Sequence, residues 1–111
     1  MEENIDLSEK ICIPCQGGVP PLNENEIGQF ITRISSEWNV IDNHHLLREW
    51  KFKDFKSALD FTNIAGQICE EENHHADFEL GWGRVLVKIF THKIDGLVES
   101  DFILAAKFDK I

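Results

Sequence analysis

Basic clusters, long apolar runs and a matched set of cysteines are what this chain lacks. Its 11 lysines and arginines face 20 acidic residues, for a net charge of −9. Binding a phosphate backbone needs a positive footprint, so direct nucleic-acid contact is excluded. No stretch nears the roughly 18 continuous apolar residues of a membrane span, so none is expected. The opening "MEENIDLSEK" is acidic where a secretory signal would be basic and then apolar, and the expected compartment is the cytoplasm. Three cysteines cannot all pair within one chain. Cys12 and Cys15 form a CxxC with no second one to complete a four-ligand zinc site. "KICIPCQGGVPPL" runs into Gly-Gly and Pro-Pro rather than into a helix, which predicts a loop with solvent-reachable thiols instead of a thioredoxin-like motif. Cys69 falls in a helical pattern and is expected to be an ordinary buried thiol. Repeats and low-complexity tracts are absent as well.

What is present suits one self-sufficient domain. A chain of 111 residues, 42% hydrophobic, can bury about two-thirds of its unfolded surface without metal or disulfide staples. Residues 1–22 read as an irregular arm and 23–111 as the domain. Asn23, with Glu26 three positions later, offers a capping box, and Ile27, Phe30, Ile31 and Ile34 follow at helical spacing, predicting a helix over 24–36. "WNVI" (38–41) and "LREWKF" (47–52) flank the turn-rich "DNHH" and read as a hairpin, with His44 and His45 solvated in or beside its turn. Asp54 can cap a second helix in which Phe55, Ala58, Leu59, Thr62, Ala65, Ile68 and Cys69 keep helical spacing as far as Glu72. "DFELGW" (77–82) alternates, and "RVLVKIFTH" (84–92) is the strongest strand signal, with Gly81 and Gly83 bracketing the turn between them. "DFILAAKFDK" (101–110) predicts a last helix. The order α-β-β-α-β-β-α needs no parallel crossover, so the expected class is α+β: two layers, with a four-stranded antiparallel sheet covered on one face by helices.

One short stretch concentrates the chemistry. "EEENHHAD" (70–77) sets His74 and His75 side by side behind three glutamates, at the joint where the second helix gives way to the third strand. Adjacent side chains on a regular element point apart, but dihedrals switch from α to β across such a joint. If strands three and four form an antiparallel hairpin turning near residues 81–84, the start of one lies beside the end of the other, and His92 comes close to His74 and His75. Three readings are open at this point. The histidines can be scattered surface residues. They can form a three-histidine metal site, although neither HxH nor helical i, i+4 spacing is present. Or they can form an acid–base site, since imidazole titrates near neutrality and exchanges protons without a metal. Carboxylates such as Glu70 or Asp101 would orient the rings.

The stretch "EEENHHADFELGWGRVLVKIFTHKIDGLVESDFILAA" resembles the core of the pterin-4a-carbinolamine dehydratases. Glu70, His74, His75, Trp82, His92 and Asp101 match the family's pattern in type and spacing. Upstream, "REWKFKDFKSALDFTNIAGQICEE" resembles the family's second strand and helix, and "CIPCQGGVPPL" the opening of many bacterial members. Three positions depart from the pattern. Ala76 stands where proline usually follows the histidine pair, Asp95 replaces the first of two common glycines, and Val98 replaces a capping Thr or Ser. Ala76 and Asp95 are expected to loosen the pocket rim, and Val98 to move the last helix's cap toward Ser100.

The resemblance implies the same α-β-β-α-β-β-α fold, assembly as a homodimer or homotetramer, and dehydration of 4a-hydroxytetrahydropterin to the quinonoid dihydropterin. That reaction recycles the cofactor of aromatic amino-acid hydroxylases and uses no metal or organic cofactor. By resemblance, His74, His75 and His92 line the site: His74 and His92 exchange protons and His75 orients the pterin. Glu70 and Asp101 support them, and Trp82 contributes to the pocket wall or to packing. Animal members of the family also bind a transcription factor, so the alternative is a non-catalytic interaction module.

Overall fold

The computed structural model describes residues 6–13 and 19–111. Three helices and four strands follow the expected order: α1 (Glu24–Ile31), β1 (Asn39–Ile41), β2 (His45–Lys51), α2 (Phe55–Glu72), β3 (Asp77–Gly81), β4 (Arg84–Ile89) and α3 (Glu99–Phe108). The strands form one antiparallel sheet in the order β1-β2-β4-β3. Leu46 of β2 and Val85, Val87 and Ile89 of β4 are buried on its covered face. Each contributes on the order of 1.5–3 kcal/mol by leaving water. α3 supplies the other half of the core, with Phe102, Ile103, Leu104, Ala105, Ala106 and Phe108 all buried, and α2 adds Ala58, Phe61, Ala65 and Cys69.

Local chemistry sets the element ends. α1 starts in a complete capping box: Glu26 N–H donates to Asn23 Oδ1 and Asn23 N–H to Glu26 Oε1, both at 2.9 Å. It stops at Ile31 rather than 36. The Ser35 N–H is drawn off to Asp109 Oδ2 at 2.8 Å, so the apolar spacing continues to Ile34 after the helical backbone has ended. Asp42 and Asn43 both adopt positive φ (55° and 53°), a region these two side chains tolerate well. The β1–β2 turn therefore closes early, and His45 pairs with Ile41 inside β2 instead of lying in the turn. β4 ends at Ile89, short of the expected 92. Its pairing with β2 stops there, at Leu46↔Ile89, and Thr91 instead closes a tight loop, donating its N–H to Gly96 O at 2.9 Å. Gly96 has no room for a side chain, since a Cβ would come within 2.7 Å of Pro21. α3 begins after Val98, not near Ser100. Asp101 Oδ2 accepts the Val98 N–H at 2.8 Å and does the capping from inside the first turn.

Residues 6–13, ahead of α1, belong to the same core. Leu7 and Cys12 are buried against α3, the Cys12 N–H donates to Glu72 Oε1 at 2.9 Å, and the Ile13 N–H donates to Ser100 Oγ at 2.9 Å. Cys12 is thus not solvent-reachable as the loop reading expected; Cys15 lies outside the described residues. Burial, reinforced by the Glu72 carboxylate, pushes the Cys12 thiol from 9.0 up to about 12, which makes it inert rather than redox-active. Cys69 is buried, as its helical spacing predicts.

Candidate functional site

Asn73 makes the joint between α2 and β3. It takes the left-handed conformation (φ 52°), and the His74 N–H turns back to Cys69 O at 3.1 Å, closing the helix end. The two following side chains leave this kink in different directions. β3 then pairs with β4 in the register Asp77↔Lys88, which brings the chain before Asp77 alongside the chain after Ile89. The outcome is a cleft of about 470 Å³ lined by Asn73, His74, His75, Asp77, Phe90, Thr91, His92 and Lys93. All three histidines of the constellation face one cavity.

Each carries its own carboxylate. His74 Nε2 lies 2.7 Å from Asp101 Oδ1, in a pair whose side chains are 11% and 0% exposed. The same carboxylate accepts the Thr91 hydroxyl at 2.9 Å and the Val98 N–H at 2.8 Å. An ionised carboxylate only accepts, so His74 donates to it through Nε2–H. His75 Nε2 meets Glu70 Oε2 at 2.6 Å, but this pair is open to water, at 55% and 72% exposure. His92 stacks flat on Phe90, with centroids 4.2 Å apart and planes 12° apart, and its Nε2 lies 3.8 Å from Asp77 Oδ2. Among the described residues, no group of three or more His, Cys, Asp or Glu is arranged to hold a metal ion.

Some expected residues fall elsewhere. Trp82 sits in the β3–β4 turn, at the far end of the hairpin from the histidines and 73% exposed, so it forms no part of the cavity wall. His44 lies in the β1–β2 turn and His45 at the start of β2, and neither is fully solvated. Both are half-buried, and His44 packs on Phe90 with centroids 4.5 Å apart. Burial, then Lys88 and His44, hold His45 below the ordinary histidine range. Asp95, expected to loosen the rim, bonds His44 Nε2 at 2.7 Å. Ala76 packs against the core. Asp77, Phe90 and Thr91 escaped the sequence reading. Asp77 was the detectable one, because strand alternation sets it on the same side as His75.

The family model for pterin 4 alpha carbinolamine dehydratase matches residues 20–111. The chain belongs to this family. Pterin-4a-carbinolamine dehydratases are lyases, and the chain is an enzyme of that class. The chain is 57% identical to a protein of Alkaliphilus metalliredigens over 95% of both chains, and 51% identical to one of Rubrobacter xylanophilus over 96% of this chain and 98% of the other. Both are named "Putative pterin-4-alpha-carbinolamine dehydratase". A crystal structure of a transcriptional coactivator/pterin dehydratase from Brucella melitensis superposes with a TM-score of 0.75 at 30% identity, covering 81% of this chain and 96% of that one. The α+β fold of the dehydratases and the predicted element order therefore agree.

Proposed function

We propose that the chain dehydrates a 4a-hydroxytetrahydropterin to the quinonoid dihydropterin by histidine acid–base catalysis, with no metal or organic cofactor. One observation carries this reading: three imidazoles from two distant segments line a single cleft large enough for a bicyclic pterin. The C4a hydroxyl is a poor leaving group. One imidazolium protonates it, the C4a–O bond breaks and water departs. A second imidazole removes the N5 proton, and the electron pair of that N–H bond becomes the C4a=N5 double bond. Each positioned group is worth about 10²–10⁴-fold. His74 and His92 are assigned to these two steps. His74 is held in one tautomer by Asp101, and His92 is more open, as a group exchanging protons with solvent must be. His75 binds and orients the pterin, with Glu70 behind it.

The reaction recycles the cofactor of an aromatic amino-acid hydroxylase, and the cytoplasm is its setting. No helix among the described residues is long and apolar enough to cross a membrane. Assembly as a homodimer or homotetramer is part of the same reading, supported by Phe55, Leu59 and Ile64, large apolar side chains that α2 leaves exposed. The test is the ultraviolet absorbance of the carbinolamine after hydroxylase turnover. Purified protein should speed its decay, and a His74→Ala/His75→Ala/His92→Ala variant should not. Decay unchanged by the wild-type chain, alongside a stable protein partner in pull-down, would replace this reading with the interaction-module one.

A further inference from the structure

His92 is the least supported of the three cavity histidines. Its ring is 64% exposed, and its carboxylate partner Asp77 stands off at 3.8 Å. What fixes the plane of the ring is the face of Phe90 beneath it. Phe90 follows the last residue of β4, and ladder pairing does not anchor it. Its ring instead packs against two imidazoles, with His92 at 4.2 Å and His44, reaching over from the β1–β2 turn, at 4.5 Å, while Lys88 Nζ lies over it 5.4 Å from the centroid. His44 is itself tied down, since its Nε2 bonds Asp95 Oδ1 at 2.7 Å. Asp95 sits three residues beyond His92 in the same tight loop, and its N–H donates to Thr91 O at 2.8 Å. It holds a positive φ of 57°, a conformation that favours glycine and tolerates aspartate. Its side chain also makes a bond that glycine could not.

We propose that His44, anchored by Asp95, is a positioning residue for His92: it packs against Phe90, clamps that ring in place and so fixes the surface on which the His92 ring lies. The inference rests on the acid–base role given to His92, but its central test does not. Phe90 connects a turn outside the cavity to a ring inside it, and the Asp95–His44 bond ties the loop that carries His92 to that same turn. Without the clamp, Phe90 can rotate, and His92 loses its stacking plane but keeps its chemistry. Substrate binding through His75 is untouched. The signature is therefore a fall in kcat at constant KM.

The experiment compares His44→Ala, His44→Phe and Asp95→Ala in the full chain. The first readout is the NMR shifts of the His92 ring protons, assigned by their loss in His92→Ala. The second is kcat and KM for carbinolamine decay. In the wild type the His92 ring protons lie upfield, in the ring current of Phe90. His44→Ala and Asp95→Ala should return them toward the free-histidine position and lower kcat by roughly tenfold, below the 10² that about 1 Å of misplacement can cost. His44→Phe, which keeps an aromatic face without the Asp95 bond, should recover part of both. Unmoved His92 signals in His44→Ala and Asp95→Ala would overturn the proposal, as would a change in KM alone. If the wild type shows no dehydration, the ring-proton shifts still decide whether the clamp exists, and only the functional reading fails.

Discussion

His74 and His75 are neighbours in sequence with opposite surroundings. The first is buried against a carboxylate that no water reaches, and that carboxylate also accepts a threonine hydroxyl and a helix-end N–H. The second stands in solvent beside a glutamate that is freer than itself. The left-handed Asn73 between α2 and β3 makes the difference. The lesson concerns how one short motif supplies two kinds of group. A histidine fixed in one tautomer is suited to a proton transfer that must occur at one atom. A mobile one is suited to gripping and releasing a ring. On the proposed mechanism, the buried pair couples stability to chemistry, while the exposed pair serves binding with little effect on stability.

That contrast is breakable. The largest effect is expected for His74→Ala, which should lower kcat by about 10²–10⁴-fold in the carbinolamine decay assay. An equal loss in His75→Ala would erase the distinction. Asp101→Ala comes next. It strips a buried carboxylate from three donors, and urea unfolding should show a loss of about 3–5 kcal/mol together with reduced activity. The buried side also predicts a pH response. The folded Cys12 thiol holds its proton to about 12 while the unfolded one releases it near 9.0. The folded state then binds more protons, so stability should fall as pH rises through that interval. Cys12→Ala should flatten the decline, measured as unfolding midpoints against pH. Glu70→Gln, on the exposed side, should change stability by no more than about 0.5 kcal/mol and act mainly on KM. Trp82→Ala, at the opposite end of the hairpin, should leave both kinetic constants where they are.

Much of this was readable in the sequence, for reasons that differ by element. α2 was legible end to end because its apolar positions keep helical spacing and Asp54 accepts the Ser57 N–H at 2.8 Å, as a cap should. The meeting of residues 74, 75 and 92 followed from hairpin geometry alone. Periodicity does not reveal where a backbone N–H finds a better acceptor, which is why α1 ended early at Ile31, with the Ser35 N–H bonded to Asp109, and why Asp101, not Ser100, capped α3. Nor does it reveal contacts between loops: the His44–Asp95 bond joins residues 51 positions apart through two left-handed turns. Trp82 lies away from the cleft for a simpler reason. Its type and spacing fit the family pattern, but the hairpin that gathers the histidines carries its own turn to the other end of the molecule.

The claim beneath the rest is that one organic ring touches all three imidazoles at once. Titrating the isotopically labelled chain with an unreactive pterin, and following the ring signals of His74, His75 and His92 by NMR, tests it most directly. The account predicts that all three move together along one saturation curve. If any of the three stays still while the others saturate, or none responds, the three rings do not share a substrate.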